Sequence, residues 1–297
     1  MLQQAENTIK IEGILSEIDL KYNNFVKDGK STDCIGGTIK VLVEEDGYDP
    51  REITAHLFST KYTKKTGTLN PAYTSIEQVM TTFKSIAATS KEEADRVRFT
   101  GSLKMNEFYA ADGRLVSQPR VTTSFVNKVT KDFSPKADFV MTFMVSDIHR
   151  VTDAEGIEVE PAKLEVVVAL PQYGGVVDVC KFYATKPDAI EGIESTWEPG
   201  YTYRAAGHLN FTSTTQVVKE EFGFGEAVEK VKTVRVNEFV ITSGSTTALD
   251  DEFAFSIEDV KAAMAERKAR LEASKDKAST KSAPAQTTSK GKLDLGF

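Results

Sequence analysis

The chain alternates inward and outward residue types in many short segments, and the clearest of these covers residues 97–105. Its small or apolar positions lie two residues apart, the period of a strand with one buried face. They are Val97, Phe99, Gly101, Leu103 and Met105. An Asp-Gly pair at residues 112–113 supplies the positive backbone angle that a tight hairpin turn needs. The pattern predicts a β-hairpin that carries Phe108, Tyr109 and Arg114 at its tip.

The strand pattern recurs later in the chain, which indicates a tandem duplication. At an offset of 125, three strand-like segments fall in one register. The aligned segments are 14–20 with 139–145, 39–43 with 164–168, and 57–61 with 182–186. Further along, the pattern Arg98-x-x-Gly101-x-Leu103 recurs as Arg204-x-x-Gly207-x-Leu209. The sequence thus predicts two copies of one β unit.

A helix is predicted between the third and fourth strands of the first copy. Ser75 and Gln78 have the spacing of a capping box, and apolar residues from Ile76 to Ile86 repeat at helical spacing. Gly13 lies where the first strand changes its apolar phase, as a bulge or a coil of the strand requires. Three strands, a helix and a closing hairpin describe the five-stranded oligonucleotide-binding (OB) barrel. An open two-sheet sandwich built from the same strands is the competing fold.

These patterns set the expected fold class and domain boundaries. We predict an all-β protein with minor α content: two tandem OB-like five-stranded barrels, a C-terminal helix and a disordered tail. The first barrel is assigned to residues 1–131 and the second to residues 132–250. Ser256 with Asp259 caps a helix assigned to residues 251–274. Residues 275–297 are rich in Lys, Ser, Thr, Ala, Gln and Pro, a composition that buries too little surface to fold.

Charge is distributed unevenly along the chain, whose net charge is −7. Residues 1–131 carry 18 Lys and Arg against 17 Asp and Glu, whereas residues 132–255 carry 10 against 21. An anionic ligand therefore fits the first barrel better than the second. Two distant cysteines, no secretion signal and no apolar run of about 20 residues predict a cytoplasmic protein.

Catalytic and metal-binding motifs do not stand out in the sequence. His56, His149 and His208 are isolated, and none belongs to an HExxH, HxH or Cys-His arrangement. Neither a GxxxxGK[ST] phosphate loop nor a GxGxxG motif after a strand occurs. We therefore predict a protein that is not an enzyme and uses no cofactor or metal.

Basic and aromatic residues are mixed where the predicted strands of the first copy end. Such a mixture is typical of single-stranded nucleic-acid binding, because Lys and Arg hold phosphates while aromatic rings stack bases. On an OB barrel, the connections between strands one and two and between strands four and five flank the binding face. The predicted contact residues are Lys21, Tyr22, Lys27, Lys30, Lys61, Tyr62, Lys64, Lys65, Arg98, Lys104, Phe108, Tyr109 and Arg114. Phe25 and Phe58 belong to the same clusters, and core positions would also explain Phe25, Phe58 and Phe108.

The sequence resembles single-stranded DNA-binding proteins, in particular those encoded by bacteriophages. The run of residues 98–103, RFTGSL, followed by Tyr109 and the Asp-Gly turn, is similar to a hairpin of the bacterial family. The end of the chain resembles the tail tip with which that family recruits replication and repair enzymes. The residues of this expected partner-binding tip are Leu293, Asp294, Leu295 and Phe297.

The resemblance implies a protein that coats single-stranded DNA during phage or plasmid replication and recombination, in the host cytoplasm if a phage encodes it. The acidic second barrel is expected to serve dimerisation or docking, because its potential repels phosphate. Two other classes stay open. A phage virion subunit, such as a tail-tube or decoration protein, would share the acidic, β-rich and duplicated sequence. A replication or recombination accessory protein would act through partners instead of DNA.

Overall fold

The computed structural model describes residues 2–27, 29–63, 65–110, 112–220, 228–250 and 252–281. Strands predominate, two short helices each connect a pair of strands, and a longer helix follows the last strand. The first half contains β1 (Asn7–Lys27), β2 (Lys30–Val43), β3 (Arg51–Thr60), α1 (Pro71–Thr82), β4 (Arg96–Tyr109), β5 (Leu115–Thr123) and β6 (Asn127–Lys128). The second half contains β7 (Lys136–Arg150), β8 (Leu164–Pro171), β9 (Val177–Ala184), α2 (Pro187–Thr196), β10 (Thr202–Glu220), β11 (Val228–Gly244) and α3 (Ile257–Lys281).

Five strands of the first half close into a ring in the order β1-β2-β3-β5-β4-β1. The β3–β5 pairing is parallel and the other four are antiparallel. β1 closes the ring because it is long and bent: residues 9–14 pair with β4, and residues 14–27 pair with β2. This closure, with α1 between the third and fourth strands, agrees with the expected OB-like fold.

The bend in β1 has two local causes. The register between β1 and β2 shifts between Leu15 and Glu17, so the bulge lies there and not at Gly13. Gly13 serves close packing instead, since a Cβ at this position would lie 2.4 Å from the carbonyl oxygen of Leu42. The strand therefore crosses from one partner to the other at a position that only glycine fits.

Strand pairings in the second half follow the order β7-β8-β9-β11-β10-β7. The two halves meet where β1 and β7 pair antiparallel, with Ile9 opposite Phe139. Gly101 pairs with Ile9 and Gly207 pairs with Phe139, so the repeated Arg-x-x-Gly-x-Leu pattern occupies equivalent positions. These pairings agree with the duplication predicted from the sequence.

The offset between equivalent residues differs from the predicted value of 125. The register shift after Leu15 corresponds to the shift after Val145, an offset of 130. The cross-strand rows of the two halves make His56 on β3 equivalent to Tyr183 on β9. The predicted offset of 125 aligned His56 with a residue two positions earlier in the chain. Because 125 and 130 differ by an odd number, the predicted alignment of the first strand placed its side chains on the wrong face.

The helices begin and end at positions that differ from the predicted ones. α1 starts at Pro71 after the N-cap Asn70, whose side-chain oxygen accepts a hydrogen bond from the backbone N–H of Ala72 at 3.1 Å. The predicted start at Ser75 is therefore wrong, since an Asn-Pro pair supplies a better N-terminus. α3 begins after Ser256 as predicted, but it continues to Lys281, beyond the expected end at residue 274.

Polar side chains also join the two halves. Asn7 exchanges hydrogen bonds with the backbone of Leu103: its Nδ2 donates to the carbonyl oxygen at 2.7 Å, and its Oδ1 accepts from the N–H at 2.8 Å. Gln172 donates to the same carbonyl at 3.0 Å, and Asp178 accepts from the N–H of Met105 at 3.1 Å. The edge of β4 beyond residue 102 is therefore held by side chains from β1 and the second half.

Candidate functional site

A groove of about 650 Å³ crosses the outer face of β3, β5 and β4. The side chains on its floor are alternate residues of these strands, because every second residue of a strand faces outward. The register brings His56 beside Thr122, and Thr122 opposite Ser102. The lining residues are His56, Leu57, Phe58, Thr100, Gly101, Ser102, Lys104, Arg120, Thr122, Thr123, Ser124 and Phe125. The groove thus combines two cations, several hydroxyl groups and aromatic rings.

The two cations of the groove face each other across neighbouring strands. Lys104 on β4 lies directly opposite Arg120 on β5. Within the described ranges, neither forms an ion pair with an acidic side chain. Like charges directly opposite each other destabilise a sheet, so this pair is unfavourable for the fold by itself. An anion bound between the two side chains would relieve the repulsion.

His56 lies on the groove floor, between Thr38 on β2 and Thr122 on β5. Burial lowers the pKa of His56 below its usual value, and the nearby positive charge of Arg120 lowers it further. The imidazole is therefore predominantly neutral near pH 7 while the groove is empty. A phosphate placed beside it would favour the protonated form.

Aromatic rings stand at the edge of the groove with much of their surface in contact with solvent. Phe58 is 59% exposed and Phe125 is 53% exposed, although both are large apolar side chains. The ring of Phe58 lies against Gly36, where a Cβ would approach within 3.1 Å, and 6.5 Å from the ring of Phe25. Exposed rings at a sheet surface can stack on bases.

Several predicted contact residues lie in or near the groove. Lys104 lines it, and Lys21 shares a cross-strand row with Gly36 and Phe58. Lys61, Tyr62 and Lys65 lie in the loop that follows β3, where Lys61 is 4.0 Å from Asp33 and 5.9 Å from the Tyr62 ring.

A second group lies on the hairpin beyond the groove floor, which we call the β4–β5 arm (residues 105–119). Phe108 is 45% exposed on this arm, and Arg114 at the tip pairs with Asp112 at 2.6 Å. Gly113 has a φ of 81°, as the predicted Asp-Gly turn requires. The arm therefore places the exposed ring of Phe108 and the paired cation of Arg114 at the end of the groove.

Three predicted contact residues are engaged elsewhere. Tyr22 points to α1, where its hydroxyl donates to Glu77 at 2.9 Å, so it lies on the face opposite Lys21. Tyr109 lies under α3, with the ammonium of Lys275 5.4 Å from its ring. The alternation of strand side chains explains both, because adjacent residues face opposite sides.

Arg98 is the third of these residues, and it serves the fold. Its Nη2 donates to the carboxylate of Glu12 at 3.0 Å and to the carbonyl oxygen of Asp132 at 3.0 Å. Glu12 is fully buried. Burial alone would raise the pKa of Glu12, but the hydrogen bonds from Arg98 and from the N–H of Ser134 hold it below its usual value. Arg98 is therefore needed to neutralise a buried carboxylate.

The remaining predicted residues lie at the tip of the β1–β2 hairpin or outside the described residues. Lys27 ends β1 and Lys30 begins β2, and the two pair at the tip of that hairpin. Lys64 and the predicted tail-tip residues lie outside the described residues; the latter are Leu293, Asp294, Leu295 and Phe297.

Sequence reasoning missed Arg120, Phe125 and His56 as groove residues. Arg120 stands between a proline and a valine, without a basic or aromatic neighbour, so clustering gave no signal. Alternation along β5 would have indicated Arg120, because Arg120 and Thr122 are two residues apart and therefore share the outward face of the strand. A search by strand face would thus have found more of the groove than a search by clusters.

The equivalent face of the second half is occupied by its own ion pairs. Tyr183, equivalent to His56, donates its hydroxyl to Glu165 at 2.9 Å, and burial together with this bond raises the pKa of Tyr183. Lys181 pairs with Glu165 at 2.8 Å, and Lys163 pairs with Glu238 at 2.5 Å. The cations on this face are therefore already neutralised.

Across the described ranges, no three or more His, Cys, Asp or Glu side chains group in a way that could hold a metal ion. Nor does any described helix combine the length and apolar character needed to cross a bilayer.

Comparison with known proteins supports the fold and assigns a family. The crystal structure of the wild-type single-stranded DNA binding protein from Thermus aquaticus matches with a TM-score of 0.51 at 10% identity, covering 84% of this chain and 96% of that chain. A deletion mutant of that protein matches with a TM-score of 0.45 at 12% identity, over 84% and 97% of the two chains. The likeness at 10% identity establishes the OB-like fold alone. No curated protein matches the sequence. The YorF family model matches residues 5–277, so the chain belongs to the YorF family.

Proposed function

We propose that this protein binds single-stranded DNA in the groove on β3, β5 and β4, without strong sequence preference. The observation that carries the proposal is the pair of unneutralised cations, Lys104 and Arg120, beside the exposed ring of Phe58. Cations that hold phosphates next to rings that stack bases are the working parts of single-strand binding sites. The fold shared with a single-stranded DNA binding protein from Thermus aquaticus supports the proposal.

In this proposal, the chain folds into two tandem OB barrels with different functions. The first barrel holds DNA, whereas the acidic second barrel, in which Lys163 and Lys181 are already paired with glutamates, serves docking or dimerisation. The protein acts without catalysis, coating single strands in phage or plasmid replication and recombination within the cytoplasm. The repeated strand order and the resemblance of residues 98–114 to single-stranded DNA-binding proteins support this extension.

A fluorescence titration with oligo-dT at two salt concentrations tests the proposal. Binding should weaken with salt, with a slope of log affinity against log salt of about −0.7 for each phosphate neutralised. Absence of binding to oligo-dT, with self-assembly on mixing, would instead support the virion-subunit alternative.

Phe58→Ala should weaken oligo-dT binding by about 1–3 kcal/mol, the value of one stacked base. The fold should lose little stability, because Phe58 is mostly exposed. The control is Phe253→Ala, since Phe253 in the second half is 58% exposed. Equal affinities for the two variants would remove Phe58 from the binding site.

Binding should strengthen as the pH falls from about 7.5 to 5.5. The pKa of His56 is lowered in the empty groove, so a phosphate that favours the imidazolium raises this pKa and takes up a proton on binding. We expect about a three- to tenfold gain in affinity over this range at constant salt. His56→Gln should remove the gain, and a pH dependence that survives this change would contradict the assignment.

A further inference from the structure

The β4–β5 arm stands over a cavity of about 300 Å³ that separates it from the second half. Leu115, Ser117 and Pro119 of the arm line one side, and Cys180, Tyr183 and Phe239 of β9 and β11 line the other. Tight packing is what normally fixes one layer of a protein against another. The cavity therefore leaves the underside of the arm without such packing over part of its length.

An ion pair from α3 bridges this cavity. The Nε of Arg267 donates to Oε2 of Glu107 at 2.8 Å, and its Nη2 pairs with the other carboxylate oxygen. Ser117 donates to that same oxygen at 3.0 Å, so the carboxylate links both strands of the arm to the helix. The side chains of Glu107 and Arg267 are only 6% and 15% exposed. A bidentate pair of this kind fixes orientation as well as distance.

The arm is held at its base and at its far end by different parts of the chain. Asp178 accepts a hydrogen bond from the N–H of Met105 at the base. Towards the tip, Lys275 of α3 lies over the ring of Tyr109, and Leu271 of the same helix is buried. The direction of the arm beyond Met105 thus depends on α3.

We propose that Arg267 is a positioning residue for the DNA groove, through which α3 fixes the β4–β5 arm at one end of the bound strand. The proposal rests on the proposed function. Lys104 and Arg120 form the strand pair immediately before the arm, so the arm continues the groove floor from these two cations. The C-terminal helix thereby becomes part of the binding machinery without touching DNA.

The test compares Arg267→Gln with Lys268→Gln, which removes the same charge from an exposed neighbouring position on α3. With an oligo-dT of about 16 nucleotides, the upper end of the range that one OB fold covers, Arg267→Gln should weaken binding about five- to tenfold. Lys268→Gln should change it less than about twofold. The charge-swapped double variant Glu107→Arg/Arg267→Glu should restore much of the affinity, because it rebuilds an ion pair at the same place.

A second readout follows the arm without DNA. Trypsin should cut after Arg114 faster in Arg267→Gln than in Lys268→Gln, because the exposed tip of a released arm enters a protease more readily. Faster cleavage with unchanged affinity would overturn the positioning role, and so would equal behaviour of the two variants. Failure of the wild-type chain to bind oligo-dT would count against the proposed function, while the cleavage rates would still report whether Arg267 holds the arm.

Discussion

Lys104→Glu is expected to weaken oligo-dT binding about 30- to 100-fold and to leave the fold at least as stable as the wild type. Lys104 lies directly opposite Arg120, so a glutamate there replaces repulsion with an attractive pair worth about 0.2–1 kcal/mol. The same carboxylate faces the bound phosphates, and losing a close charge contact costs about 2–3 kcal/mol of binding. If the variant is more stable but binds more weakly, the Lys104–Arg120 repulsion serves DNA binding at the expense of stability.

Fluorescence titration and urea denaturation measure the two quantities on one preparation. Lys84→Glu is the matched control, because Lys84 is an exposed cation of the first half that does not line the groove. Adding Arg120→Glu to Lys104→Glu should abolish the gain in stability, weaken binding beyond about 100-fold and make the salt slope less negative by about 1.4, twice the value per phosphate. Unchanged affinity in the double variant would place the binding site elsewhere.

The sequence predicts elements well where they depend on local period and turn chemistry. The hairpin at β4 and β5, the cap at Ser256 and the repeated Arg-x-x-Gly-x-Leu pattern are all present in the structure. The start of α1 was missed because two N-terminal signals competed, and the Asn-Pro pair at residues 70–71 took precedence over Ser75. The offset of the repeat was missed because insertions of a few residues shift it by different amounts in different strands.

The candidate site was harder to predict than the fold, because clusters in the sequence ignore strand faces. Lys21 and Tyr22 are neighbours in the chain, but they lie on opposite faces of β1. Arg120 has no basic neighbour in the chain, and only the β4–β5 register places it opposite Lys104. The engagement of Arg98 by the buried Glu12 depends on a pairing across 86 residues, which no local pattern reveals.

Arg51→Met is expected to lower the free energy of unfolding by about 3–5 kcal/mol, because it removes a buried guanidinium and leaves the partly buried carboxylate of Glu45 without its partner. Arg51 is 1% exposed, and its Nη1 donates to the carbonyl oxygen of Leu209 in the second half at 3.2 Å. Its Nη2 pairs with Glu45, and its guanidinium lies 4.6 Å from the ring centre of Tyr48. One side chain thus neutralises an acid and joins the halves, which gives its loss a large effect.

Urea denaturation of Arg51→Met and Arg150→Met compares a buried ion pair with an exposed one. Arg150 pairs with Glu194 at 2.7 Å and with Glu158 at 3.1 Å, but it is 43% exposed, so its loss should cost no more than about 1 kcal/mol. Adding Glu45→Leu to Arg51→Met should recover much of the lost stability, because an apolar pair leaves no buried charge unpaired. Equal losses for the two single variants would mean that the Arg51 site is open to water. The β1–β7 pairing and the hydrogen bond from Gln172 to Leu103 would then be the contacts that hold the halves together.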